Sequence, residues 1–373
     1  MGWEIDFLHL GESKKSADAI TLRFGDLMGS DRGKQTVVVI DGGFKTNGEA
    51  IVKHVKKYYM TSRVDLVVST HPDTDHASGL CVVLEELTVK ELWMHQPWKH
   101  TQDIANLFKD GRVTDRSIRE SLRESLDDAM ALEELATRKG IPIVEPFCGV
   151  KDRTNNLYVV GPTVEFYESL LPELPCLPEP VAVSAYRSIF EQILAETKET
   201  LKTVAESWGI ETLDDTGETT AQNNSSVILI AAFEEDGKKQ HIMLTADAGM
   251  PALADVADRL DVNGYSFTEC LYLVQVPHHG SRRNVGPTIL NRILGPKLPT
   301  NQQSAELRRA IVSICKGEEP KHPSKKVLNA FRRRGVPVYS NMDRSVWWRS
   351  GAPPRADYTD GLMAFPLYSQ VEE

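Results

Sequence analysis

No stretch of the 373 residues approaches the ~18 to 20 uninterrupted apolar residues that a membrane helix needs, so a helical channel or anchor is not expected. The opening residues, Met1-Gly2-Trp3-Glu4-Ile5-Asp6, lack the basic stretch and apolar run of a secretory signal. Cysteine is scarce. Cys81, Cys148, Cys176, Cys270 and Cys315 are odd in number, widely spaced and form no C-x-x-C pair. That excludes a disulfide scaffold and predicts reduced thiols, packed as small apolar side chains in a cytoplasmic protein. No internal repeat of solenoid period is present. The net charge of -10 argues against indiscriminate nucleic-acid binding.

What is present is an ordinary globular composition, long enough for one large domain with insertions or for two domains. The charge is unevenly spread. From Gly280 to Val336 there are 13 Lys and Arg against 3 Asp and Glu, a balance of +10. From Gly161 to Gln222 there are 3 against 12, a balance of -9. A basic surface beside an active site would concentrate a polyanionic substrate, although a solvated basic helix has the same composition. Lys325, Lys326 and Arg332 to Arg334, on one helical segment, are the better nucleic-acid candidates. Trp93, Trp98, Trp347 and Trp348 suit core or rim packing better than base stacking.

Short β-like runs open the chain: Ile5 to Leu10, Ala19 to Phe24 and Thr36 to Ile40, the last ending at Asp41-Gly42-Gly43. A helix over about 48–60 leads into Val64 to Thr70, a β-branched run that stops at His71. Helical spacing recurs from Arg116 to Lys139, with Gly140 placed to end it. A Pro-rich stretch from Leu171 to Pro180 precedes a second helical run holding Ile189, Ile193, Leu194, Leu201, Val204 and Trp208. β-structure returns at Ser226 to Ala232, His241 to Thr245, Cys270 to Val276, Ile311 to Ile314 and Val336 to Ser340. The expected organisation is a β-rich half at 1–99, a largely helical insertion at 100–222 and a second β-rich half at 223–373.

The chemistry concentrates in His71-Pro72-Asp73-Thr74-Asp75-His76. Four potential ligands, His71, Asp73, Asp75 and His76, follow the end of a buried strand. Carboxylates packed this closely repel, and a divalent cation supplies the missing positive charge. Asp247, His278-His279 and His322 are further candidates; the first two follow strands and precede glycine. Each is weak alone, and the ordered set is what carries the signal.

H-x-[HD]-x-D-H after a strand resembles the signature of the metallo-β-lactamase superfamily. More specifically, the chain resembles the soluble hydrolase domain of bacterial DNA-uptake proteins of the ComEC type. The likeness extends through Phe7 to Gly11, Val39 to Gly43, Thr70 to Leu80, Asn223 to Val227, Leu244 to Asp247, Val276 to Ser281 and Val312 to Pro323. It implies an α/β fold, the metallo-β-lactamase αββα sandwich with a helical insertion. It also implies two divalent metal ions, zinc or manganese, held by His71, Asp73, Asp75, His76, Asp247, His278 and His322. Asp247 matches a carboxylate shared between two metals. Asp73 stands where typical members have histidine, and only Asn223-Asn224 stands where many have a third. Both exchange nitrogen for oxygen and favour a harder metal such as manganese.

The implied reaction is hydrolysis by water activated between the ions, with Asp75 orienting that water and His278 or His279 protonating the leaving oxygen. Ser281, Arg282, Arg283 and Asn224 are the expected substrate-binding residues, though Arg282-Arg283 equally suits a loop surface. The resemblance points to a nuclease acting on DNA, by analogy a defence-type effector, with the acidic insertion as a lid or a protein-docking surface. The alternative is a small-molecule hydrolase for a phosphodiester, thioester or lactone. A module with a vestigial metal site is a third reading, disfavoured by the complete ligand set.

Overall fold

The structure, a computed structural model, describes all residues except 10–14, 103, 179, 181–202, 300–307, 316–321 and 359–360. In β1 (Gly2–Phe7) and β2 (Ala19–Gly25) residues alternate, so Trp3, Ile5, Phe7, Ile20, Leu22 and Phe24 share one face. These strands pair antiparallel, and β2 pairs in turn with β3 (Gln35–Gly42). From β3 onward the sheet is parallel, through β5 (Leu66–Val68), β7 (Leu92–Trp93) and β8 (Ile143–Val144). β16 (Val346–Ser350) closes the other edge against β1, giving seven strands in the order β16-β1-β2-β3-β5-β7-β8.

The second sheet has six strands, ordered β15-β14-β13-β12-β11-β9. β9 (Leu157–Gly161), β11 (Ile228–Glu235) and β12 (Lys238–Leu244) are antiparallel. β13 (Leu271–Gln275), β14 (Arg309–Val312) and β15 (Val338–Ser340) continue parallel to β12. Two small pairs complete the strands, β4 (Arg63–Val64) with β6 (Thr88–Val89) and β10 (Thr203–Ala205) with β17 (Gln370–Glu372).

A core of Trp3, Phe7, Phe24, Val38, Val68, Leu229, Ile242, Leu273 and Ile311 joins the two sheets face to face. Helices α1 (Lys45–Tyr58), α2 (Thr74–Ala77), α3 (Leu80–Glu86), α4 (Asp115–Ser125), α5 (Asp127–Lys139) and α6 (Val164–Leu170) accompany the first half. Ile51, Val55, Val83, Leu84, Leu122 and Leu132 from these helices form the core on the first sheet's outer side. α7 (Ala221–Asn224) precedes α8 (Met250–Val262), α9 (Phe267–Cys270), α10 (Pro287–Leu294) and α11 (Lys325–Arg333). Leu253, Val256, Leu290, Leu328 and Phe331 build the matching core outside the second sheet. The result is the expected mixed α/β sandwich, layered αββα.

Several elements differ from the sequence-based expectation. The stretch 100–222 is helical in α4 to α6 but also gives an edge strand to each sheet, β8 and β9, so it is woven into the sandwich. Both strands are short, and the neighbouring helical periodicity dominates that window. The helical pattern over 116–139 breaks at Leu126 (φ -112°, ψ 53°), leaving two helices where one was expected. In the second helical run, Ile189, Ile193, Leu194 and Leu201 lie outside the described residues, while Val204 is in strand β10. The five cysteines are unpaired, and Cys148 is exposed instead of packed. Among the described residues, no helix is long and apolar enough to cross a membrane.

The basic segment is the largest correction. Arg333 and Arg334 are buried, paired at 2.8 Å with Glu206 and at 2.7 Å with Glu211. Arg332 donates to the Phe365 carbonyl. Two buried pairs therefore join the acidic and basic stretches that the sequence separates, and Arg333 and Arg334 offer no surface to nucleic acid. Trp93 and Trp98 are likewise fully buried.

Beyond the end of β7, His95 is buried between Tyr167 (ring centroids 4.4 Å) and Phe147 (4.7 Å), and neither ring nitrogen has a hydrogen-bond partner. Burial, with His100 nearby, holds its pKa down at about 3. A depressed folded pKa makes the neutral form native. The associated stability is complete above the unfolded value near pH 6.5 and is lost as pH falls toward 3, by up to about 1.4 kcal/mol per unit. His95→Phe should flatten that acid slope in urea titrations between pH 6.5 and 4. Equal slopes for the two proteins would show that His95 is not its source.

Candidate metal centre

Parallel strands of both sheets end at one edge, where open α/β folds place their ligands. Asp41 ends the core of β3; Thr70-His71 follows β5, Asp247 follows β12, and His278-His279 follows β13. The turns are tight. Asp41, Ala246, His278 and His279 all have positive φ (54°, 45°, 46° and 53°) although none is glycine. Such conformations cost of order 1 kcal/mol or more each and cluster where function requires them. Gly79 lies against the β3 turn, where a Cβ would sit 2.0 Å from the Gly42 carbonyl oxygen. That close approach brings the α2 segment carrying Asp75 and His76 down onto Asp41.

The histidines share one arrangement: Nδ1 is tethered outward and Nε2 points into the cluster. His76 Nδ1 donates to Asp41 Oδ2 at 2.8 Å, and His279 Nδ1 donates to the Ser313 carbonyl at 2.7 Å. Asp41 also accepts from the Thr70 amide (2.9 Å) and hydroxyl (2.7 Å). With its proton committed to Asp41, the Thr70 oxygen accepts from His71 Nδ1 at 3.1 Å. His278 Nδ1 lies 3.0 Å from Asn223 Nδ2 and 3.1 Å from Asn284 Oδ1. These tautomers are assigned from the hydrogen-bond network.

Carboxylates meet the inward nitrogens. Asp247 Oδ2 lies 3.8 Å from His71 Nε2 and 3.5 Å from His278 Nε2, while Oδ1 lies 3.4 Å from His76 Nε2. Its two oxygens thus face two different sets of donors. Asp73 is 3.5 Å from His71 Nε2 on one side, and Asp75 is 3.6 Å from His279 Nε2 on the other. The donor atoms of His71, His76 and Asp247 lie within 4.8 Å of one another, as do those of Asp75, His76 and His279. A third such set, Asp18, Asp41 and His76, uses the outward Nδ1 side.

His71 Nε2, His76 Nε2, His279 Nε2 and Asp247 Oδ1 are buried and make no hydrogen bond. Orphaned nitrogen and carboxylate atoms this close fit a divalent cation. The electrostatics agree. Burial alone would lower the His279 imidazole, yet the neighbouring carboxylates of Asp75, Asp247 and Asp18 raise it to about 9. His76 is likewise raised against burial, chiefly by Asp247 and Asp41, and His71 mainly by Asp73. Despite burial, Asp247 is held below the usual carboxylate range by His278, His76 and His71, and Asp75 by His279 and His76. Without a metal, protons on the imidazoles provide the countercharge.

Residues 31–108 match the family model of the metallo-beta-lactamase superfamily. Over those residues the chain is similar to the metallo-beta-lactamase superfamily. That match spans the first sheet's parallel strands β3, β5 and β7 and the segment from His71 to His76. Among solved structures, a metallo-beta-lactamase-type protein from Thermotoga maritima is 10% identical, with 71% of this chain and 93% of that chain covered at TM-score 0.32. A point mutant of CmlA beta-hydroxylase is 11% identical, with 93% and 54% covered at TM-score 0.42. Metallo-beta-lactamase SMB-1 bound to 2-mercaptoethanesulfonate is 11% identical, with 78% and 86% covered at TM-score 0.27. These likenesses are distant and say nothing about substrate. No curated protein matches the chain.

At this edge of the two sheets, His71, Asp73, Asp75, His76, Asp247, His278 and His279 come together. The ring of His322 lies next to that of His278, with centroids 6.2 Å apart and planes inclined at 24°. Asn224 is fully buried and donates back to Thr219, so it presents no surface to a substrate; Asn223 is the one that reaches His278. Ser281 is buried, Arg282 exposed and Arg283 half-buried on the turn after His279. Sequence reasoning gave no role to Asp41, Asp18, Thr70, Gln222, Gln275 or Asn284. Gln222 donates to Asp73, Gln275 donates to Asp18 at 2.8 Å, and Asn284 donates to the Asp247 carbonyl at 2.8 Å. Asp18, Asp41 and Thr70 lay within the stretches of family likeness without a role of their own, and Gln222, Gln275 and Asn284 carried no signal.

Asp41→Asn should retain the fold but lower metal affinity about 10- to 100-fold, because His76 loses the carboxylate that fixes its tautomer. Calorimetric titration checks this, and unchanged affinity would remove Asp41 from the metal centre.

Proposed function

We propose that the chain is a phosphodiesterase that cleaves nucleic acid, dependent on two divalent cations. The observation that carries the reading is the split of Asp247, with one oxygen toward His71 and His278 and the other toward His76. One cation would be held by His71, Asp73, His278 and Asp247, the other by Asp75, His76, His279 and Asp247. Bound there, the ions would supply Lewis acidity and lower the pKa of coordinated water. Asp75 is exposed enough to orient a water molecule as well as contribute a ligand oxygen. His278 is the most open of the four clustered histidines and suits proton delivery to a leaving oxygen.

Asp73 and the Asn223 position make the first pocket rich in oxygen, which suits manganese as well as zinc. Together with exposed Arg282, this supports a phosphodiester substrate, as does the resemblance to DNA-uptake hydrolases. The burial of Arg333 and Arg334 favours a second reading, a small-molecule phosphodiesterase without an extended DNA track. Comparing kcat/KM on linear, circular and single-stranded DNA, RNA and bis(4-nitrophenyl) phosphate separates them. The nuclease reading expects a strong preference for a nucleic acid, abolished by EDTA. Turnover of the small diester alone would establish the second reading.

A further inference from the structure

The turn that follows β13 folds back on itself. The Ser281 amide donates to the His278 carbonyl at 2.9 Å, and the Asn284 amide donates to the Ser281 carbonyl at 3.3 Å. This brings the fully buried side chain of Asn284 to His278 and Asp247 at once. Its amide nitrogen donates to the main-chain carbonyls of Asp247 at 2.8 Å and Ala248 at 3.3 Å. Its oxygen lies 3.1 Å from His278 Nδ1.

That orientation of Asn284 is fixed. Rotating the amide by half a turn would set its oxygen against two carbonyl oxygens, in a place without solvent to supply a donor. Asn223 approaches the same Nδ1 with its side-chain nitrogen, at 3.0 Å. The Asn223 amide makes no other hydrogen bond among the described residues, so nothing opposes its rotation. One Nδ1 cannot donate to Asn284 and accept from Asn223 together. Exchanging the nitrogen and oxygen of Asn223, which are nearly equal in size, lets both asparagine oxygens accept from a single Nδ1–H.

We propose that Asn284 is a positioning residue that holds a proton on His278 Nδ1. With that proton fixed, only Nε2 is left to exchange, and Nε2 lies 3.5 Å from Asp247 Oδ2. It presents a lone pair to a cation, or a proton to a leaving oxygen when the ring is charged. The assignment rests on the two-cation reading and deepens it, because it names what keeps His278 competent for that centre. Asn223 is the competitor. Without Asn284, its nitrogen donates to Nδ1, the neutral ring carries its proton on Nε2, and the lone pair that a cation needs is lost.

Two measurements on the full chain test this. The first is nitrogen NMR of histidine-labelled, chelated protein at alkaline pH, where the His278 ring is neutral. Wild type should show the proton on Nδ1, and Asn284→Ala should move it to Nε2. A wild-type proton on Nε2 overturns the proposal, and that result needs no variant to fold. The second is calorimetric titration with zinc. Asn284→Ala should weaken one of the two bound ions about 10- to 100-fold. Adding Asn223→Asp, whose carboxylate can only accept, should restore most of that loss. The gain should exceed what Asn223→Asp gives in wild type, since its charge alone acts in both backgrounds. An equal gain in the two backgrounds would make Asn284 only a support for the Asp247 turn and would overturn the proposal. The predicted spectrum in a protein that binds no cation would reject the metal reading alone. Two bound ions in a protein whose His278 proton sits on Nε2 would reject this assignment alone.

Discussion

Asp247→Asn should lower kcat/KM for phosphodiester hydrolysis by about three orders of magnitude or more, with the fold intact by circular dichroism. Asparagine keeps the shape and the backbone turn at Ala246 but offers one neutral oxygen where two charged ones face separate histidine sets. Both cations should bind more weakly, because the residue they share is the one changed. Its neighbours should respond as well: the charge of Asp247 is among the main influences raising His76 and His279. Retained activity in Asp247→Asn would mean that hydrolysis takes place elsewhere.

The second large effect concerns stability. Glu206 and Arg333 are both fully buried as side chains, 2.8 Å apart, and Glu206 also accepts from Thr212 and Asn329. Removing one partner strands a charge in the interior, which typically costs about 3–5 kcal/mol. Arg333→Met should therefore destabilise by roughly that amount, and Glu206→Leu similarly. The double replacement should recover most of the loss, because two apolar side chains remove the stranded charge. Urea unfolding of the cycle checks this; additive losses would show that the two charges are not coupled.

These residues show where sequence reasoning reaches its range. The strands at 19–25, 35–42 and 271–275 are legible because apolar alternation and β-branched runs are local properties. The hexapeptide from His71 to His76 is legible because six adjacent residues hold four donors. Arg333 with Glu206 is not: the partners are distant in sequence, and a basic helix reads the same whether buried or solvated. β8 and β9 are missed for a related reason, since a short edge strand is defined by its neighbour more than by its own residues. The histidine order carries His278 and His279 into the centre. It does not show that His279 Nε2 comes within 3.6 Å of Asp75, because that depends on two consecutive left-handed residues. Gln275 orients Asp18 and carries no motif of its own, and Asp41 is legible only as the end of a strand.

The central claim is that inward Nε2 atoms and shared carboxylates form a divalent metal centre. Calorimetric titration of chelated protein with zinc or manganese, in two buffers of different ionisation heat, tests it most directly. The account predicts saturable binding of two ions with proton release, because imidazoles protonated without metal must give up their protons. It also predicts that Asp247→Asn sharply weakens that binding. Millimolar or absent affinity, or binding indifferent to Asp247→Asn and without proton release, would contradict it.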